Sequence, residues 1–143
     1  MGYQLQVASL DDPDKALGVS IAFDRPGVFD SIRDSNNQAL NNLKNLLLTR
    51  IGERYNSPTY GTNLLNIIFE PNNEDRKQDV IDAITGPVNH WLPYITLINI
   101  DVITAEDDPY LDHQITVTIT FSSGYLEQTI GVSLDNDGGL GIV

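Results

Sequence analysis

Apolar positions along the chain switch period twice, from two to about 3.6 and back to two. Leu17 to Phe23 alternates, with Val19, Ile21 and Phe23 set against Ser20 and Ala22, which predicts a strand. Asp24-Arg25-Pro26-Gly27 stops it with turn chemistry, and the apolar Val28, Phe29 and Ile32 beyond are expected to tuck onto the core. Leu40, Leu43, Leu47 and Ile51 then take helical spacing, widened by Leu46 and Leu48, so a helix is predicted from Asn36 to Arg50. Asp34, Ser35 and Asn36 are each able to cap its start. Its polar face carries Asn37, Gln38, Asn41, Asn42 and Asn45, all but one of them asparagine, a poor helix former. Packing rather than propensity must hold it.

A compact corner follows. Gly52 sits where a helix end favours a left-handed residue, and Arg50 and Arg54 bracket that end, where cations suit exposed carbonyls. Pro58 pushes Ser57 out of the helical region. Tyr60-Gly61-Thr62-Asn63 reads as a turn with Thr62 or Asn63 as the cap of a short helix. Leu64, Leu65, Ile67, Ile68 and Phe69 are apolar nearly all round and must be buried, and Pro71 ends the run.

After Asn72-Asn73, with Glu74 and Asp75 in the first turn, Val80, Ile81, Ile84 and Val88 predict another helix. Gly86-Pro87 predicts a kink, or a stop at Thr85 with a short turn through Trp91. The rest is sheet. Ile95 to Thr104 is a strand with Leu97, Asn99, Asp101 and Ile103 on one side and Ile98, Ile100 and Val102 on the other. His113 to Phe121 alternates strictly, Ile115, Val117, Ile119 and Phe121 inward. Ser122-Ser123-Gly124 turns the chain into a return strand, Tyr125 to Leu134, with Ile130, Val132 and Leu134 apolar. The fold class is α+β: an N-terminal strand, two to three helices, then a three-stranded antiparallel meander with helices on one face. Residues 1–16 read as an arm, 17–134 as one domain, and 135–143 as a flexible Gly-rich tail.

Charge narrows the partners. Twenty acids against eight bases give a net charge of −12, which argues against binding a phosphate backbone. No apolar run is long enough for a membrane helix, and the N-terminal stretch lacks the basic start and apolar core of a signal peptide. Cysteine is absent, so disulfides and thiolate metal sites are excluded, which fits assembly in a reducing cytoplasm.

Candidate chemistry is thin. Glu53 and Glu70 are the obvious carboxylate pair for a cell-wall glycosidase, which needs two carboxylates about 5–9.5 Å apart. Against this, Glu53 stands beside Arg54 and Arg50, and a carboxylate held ionised by a cation is unsuited to act as a general acid. An ion-pair cluster of Glu53, Arg54 and Glu70, buried or at an interface, is the structural expectation. His90 and His113 lie in separate elements without metal-ligand spacing. Glu106-Asp107-Asp108 and the stretch from Asp135 to Gly139 lack the spacing or downstream ligand of a calcium loop. No catalytic residue, metal or cofactor is assigned.

Thr49-Arg50-Ile51-Gly52-Glu53-Arg54, then Pro58, Tyr60-Gly61 and Phe69-Glu70-Pro71, form a spaced pattern that resembles the small, lysozyme-like wedge protein of contractile phage tail baseplates. That family has a counterpart in the type VI secretion baseplate. The likeness extends more weakly from Gly18 to Leu134. Where relatives carry arginine after Glu-Pro, this chain has Asn72, and Arg76 stands one turn further on. The resemblance implies a structural subunit of the virion tail baseplate, assembled in the host cytoplasm. Its partners would be larger wedge proteins and the tail sheath protein, with no nucleic acid, membrane or small-molecule substrate. It implies roles in structure or interaction for Arg50, Gly52, Glu53, Arg54, Pro58, Gly61, Glu70 and Pro71. It also implies that an open sheet edge starts the sheath, expected along Tyr125, Glu127, Thr129, Gly131 and Ser133.

Overall fold

The computed structural model describes residues 16–25, 28–32, 34–68, 75–104, 114–124, 126–134 and 140–142. Strands β1 (Gly18–Arg25) and β2 (Val28–Ile32) pair as an antiparallel hairpin. The second strand was absent from the sequence reading, which gave this part of the chain one strand and a turn. Helix α1 (Ser35–Leu48) follows, then the short α2 (Leu64–Ile68) and the longer α3 (Arg76–Trp91). Strands β3 (Ile95–Ile103), β4 (Ile115–Ser123), β5 (Leu126–Leu134) and β6 (Leu140–Ile142) form one antiparallel sheet in the order β3-β4-β5-β6. The architecture is α+β as expected, with a fourth, short strand added to the meander. That strand draws part of the supposed Gly-rich tail into the sheet.

Of the three caps on offer, Asp34 is used: its carboxylate accepts the Asn36 amide at 3.2 Å. Ala39, Leu43, Leu46 and Leu47 of α1 are buried with Val80, Ile84 and Val88 of α3. They share one cluster with Ile115, Val117, Ile119 and Phe121 of β4 and Ile130, Val132 and Leu134 of β5. The helices therefore cover one face of the sheet. The opposite face is largely hydroxylic, with Thr116, Thr118, Thr120 and Ser122 at the alternate positions of β4.

Two expectations need correction. Of the two alternatives for α3, the stop at Thr85 is overturned: the helix runs through Pro87 to Trp91. The buried Val88 and Leu92 anchor its last turn, and the Leu92 amide donates to the Val88 carbonyl at 2.8 Å. The phase of β3 also differs from simple alternation. Its register with β4 slips between Leu97 and Asn99, so Leu97 faces Phe121 and Asn99 faces Thr120. Ile98 is the extra residue of a β-bulge and points out, 49% exposed. Beyond it the inward set becomes Ile100 and Val102, opposite Ile119 and Val117. Leu97 and Ile100, assigned to opposite faces by parity, both pack against the core.

Candidate functional site

The corner between α1 and α2 is built by backbone polar groups. Helix α1 ends at Leu48 because Thr49 is extended, with φ −88° and ψ 128°. The Thr49 amide closes the last helical bond to the Asn45 carbonyl at 3.1 Å, and the Thr49 hydroxyl donates to the same oxygen at 2.6 Å. The chain then closes on itself through a parallel bridge between Arg50 and Thr62. The Thr62 amide donates to the Thr49 carbonyl at 2.9 Å, and the Ile51 amide reaches the Thr62 carbonyl at 3.4 Å. The buried Thr62 hydroxyl donates to the Leu47 carbonyl at 3.1 Å, serving an acceptor that the helix end orphans.

Gly61 makes this closure possible. Its φ is +124°, and a Cβ there would lie 2.4 Å from the Thr49 carbonyl oxygen and 2.8 Å from the Arg50 carbonyl carbon. Gly52, with φ +91°, has a different task from the one expected. It does not end α1, which stops four residues earlier, but serves as third residue of a turn closed by the Glu53 amide and the Arg50 carbonyl at 3.1 Å. Its amide donates to the Pro58 carbonyl at 2.7 Å, which ties Pro58 into the corner.

The expected ion-pair cluster is not formed by Glu53 and Arg54. Both are exposed, and among the described residues no ion pair joins them. The Glu53 carboxylate instead accepts the Arg50 amide at 2.9 Å, bracing the turn it belongs to. Arg54 lays its guanidinium over the Tyr60 ring, 3.9 Å from the centroid. Tyr60 is half-buried and meets Trp91 edge-to-face at 5.3 Å. Burial pushes the Tyr60 hydroxyl pKa up, Arg54 pulls it down, and Tyr94 raises it. Glu70 and Pro71 lie outside the described residues. Arg76, the candidate stand-in for the missing arginine, reaches the Ile67 carbonyl at the end of α2, at 3.4 Å.

The structure thus brings Arg50, Gly52, Glu53, Pro58 and Gly61 into one clasp and puts Arg54 on its aromatic flank. Sequence reasoning gave Thr62 as a possible cap of α2 and Thr49 as part of the motif, and missed that both hydroxyls bond carbonyls at the end of α1. The signal was available: each threonine falls at a helix boundary, where hydroxyls compete well for backbone groups. Beside the clasp, Arg50, Ile51, Thr62, Asn63, Leu65 and Asn66 line a small hollow of about 80 Å³.

Strand β6 covers one end of the expected sheet edge, at Val132, Ser133 and Leu134. Residues Leu126–Leu134 form β5, which lies between β4 and β6; Val132, Ser133 and Leu134 pair with Ile142, Gly141 and Leu140. Tyr125 lies outside the described residues. Glu127, Thr129, Gly131 and Ser133 alternate with the buried Ile130, Val132 and Leu134. Strand β3 is the one at the other end of the sheet, with β4 its sole neighbour among the described strands.

Comparison with known proteins decides the family. The profile described as "Baseplate wedge protein gp25" matches residues 34–123, from the cap of α1 to the end of β4. The chain belongs to that family. The corner, α3 and the β3–β4 pair all lie inside the matched span. Membership in this baseplate wedge family makes the protein a structural component of a phage tail baseplate, in contact with other baseplate or tail proteins. A solved structure from Geobacter sulfurreducens, named as a candidate tail lysozyme, shares this chain's fold with a TM-score of 0.60 and 13% identity. The superposition covers 71% of this chain and 91% of the other. No curated protein matches the chain.

Proposed function

We propose that this protein joins the core of a baseplate wedge and starts the tail sheath by accepting a sheath strand at an open sheet edge. Family membership is the observation that carries the wedge role. The position of β3 supports the second part. It is a nine-residue strand with one neighbour among the described strands, so its outer edge offers backbone donors and acceptors to an incoming chain. The partners in this reading are the larger wedge proteins and the sheath protein, met in the host cytoplasm. Nucleic acid, membrane and small-molecule substrate have no part in it, and neither does catalysis.

The hydrolase reading loses ground at Glu53. Its carboxylate is an acceptor inside a turn, bound to the Arg50 amide of the same loop. That is a bracing role and leaves no reason to assign it a proton to deliver.

A C-terminal tag located by electron microscopy in purified particles tests the proposal. Label at the sheath–baseplate junction is the expected result. Label at the distal tip, or none in the particle, overturns it.

A further inference from the structure

The corner differs in charge from the rest of the molecule. Between Ser35 and Phe69 there is one acid, Glu53, and there are three bases, Lys44, Arg50 and Arg54, in a chain of 20 acids and 8 bases. The single acid is held by its bond to the Arg50 amide. The Arg50 side chain is exposed and has no partner among the described residues. The same few residues hold three of the exposed large hydrophobics: Leu48 at 38%, Ile51 at 53% and Tyr55 at 99%. The clasp of backbone hydrogen bonds holds the loop between its fixed ends, so these side chains are displayed on a braced support. Beside Arg50 and Ile51 opens the small hollow, lined also by Thr62, Asn63, Leu65 and Asn66.

We infer that this corner docks an acidic, apolar-anchored segment of a neighbouring protein, with a carboxylate set at the hollow beside Arg50 and an apolar side chain on Ile51 and Tyr55. Charge complementarity selects the partner. On a surface that otherwise repels acids, a cationic and apolar patch favours an acidic segment and disfavours a basic one. Exposed aromatics and arginines are the residues that most often anchor protein interfaces. The inference rests on the wedge reading only in supposing that the corner meets another subunit, and it concerns a surface distinct from the β3 edge.

The test uses the full chain and three short peptides, followed by amide chemical shifts in solution. One peptide alternates Asp or Glu with Leu or Phe, the second replaces its acids by Lys, and the third is polyglutamate. The acidic, apolar peptide is expected to shift amides of residues 48–66 and to weaken with added salt. Arg50→Glu and Ile51→Ser are each expected to weaken it about tenfold, while Ile98→Lys, on the sheet, leaves it unchanged. The exposed variants keep the native amide spectrum elsewhere, which checks their folding. Absence of shifts, shifts centred on another surface, or equal binding by the basic peptide or by polyglutamate overturns the inference. Such a failure leaves the tag position in particles unaffected, so the two readings fall separately.

Discussion

The α-hydrogen of Gly61 faces the backbone of Thr49 so closely that a methyl group in its place would stand 2.4 Å from the Thr49 carbonyl oxygen. Thr49 ends α1 and Gly61 precedes α2, so this approach fixes how the two helices enter the corner. Gly61→Ala meets both the collision and the strain of φ +124°, and is expected to destabilise the fold by about 3–5 kcal/mol. Gly52→Ala, with φ +91° but open space around it, is expected to cost about 1–2 kcal/mol. Urea unfolding of the two variants checks the order; equal losses would mean that the contact with Thr49 is unimportant.

The buried Thr62 hydroxyl serves the Leu47 carbonyl. Thr62→Val keeps the shape and leaves that carbonyl without its donor, for an expected loss of about 1–3 kcal/mol. Thr62→Ser keeps the donor and should lose less. Melting temperatures of the pair, measured side by side, separate the hydrogen bond from packing.

Tyr60 carries a pH prediction. Its folded pKa is raised, mainly by burial, above the ordinary value of 10.0. The folded state therefore keeps its proton where the unfolded state loses it. Tyr60 contributes stability that is fully present below pH 10.0 and is lost as pH rises through the higher, folded value. Ultraviolet titration should show a late phenolate that Tyr60→Phe removes. Arg54→Met, which keeps bulk over the ring but removes the charge that lowers the pKa, should make it later still.

The bulge at Ile98 makes β3 unusually tolerant at one point. Deleting Ile98 leaves Ile95, Leu97, Ile100 and Val102 on the inner face, because the extra residue is the one removed. Deleting Asp101 instead reverses the facing of the residues on one side of the cut and should prevent folding. Circular dichroism and near-ultraviolet signals of the two deletions report the difference.

Gly86 lies exposed within α3, with open space where a Cβ would stand. Gly86→Ala should stabilise the protein by about 0.5–1 kcal/mol through helix propensity and a less flexible unfolded chain. Thermal unfolding at a single pH suffices to check it.

Much of the fold was legible because burial imposes periods that a chain must display. The alternation of Ile115, Val117, Ile119 and Phe121 gave β4, and the stripe of Leu43, Leu46 and Leu47 gave α1. The motif around Gly52-Glu53-Arg54 and Tyr60-Gly61 gave the family, since its residues stand at fixed spacing. What those residues do was less legible. Glu53 and Arg54 are adjacent in sequence and opposite in charge, which suggests a pair, yet one binds a backbone amide and the other an aromatic ring. Such choices depend on what the folded chain brings near, and sequence adjacency does not supply it.

By itself the sequence determined the helices, four of the six described strands, the inward residues of β4 and β5, and the acidic net charge. Only tertiary structure decided that Gly61 lies on Thr49, that α3 continues through Pro87, that Ile98 shifts the phase of β3, and that β6 takes part of the edge of β5. The division has one physical cause. Periodicity records a residue's average exposure along its own element, whereas a clasp, a bulge or a strand edge is settled by pairing between segments distant in the chain.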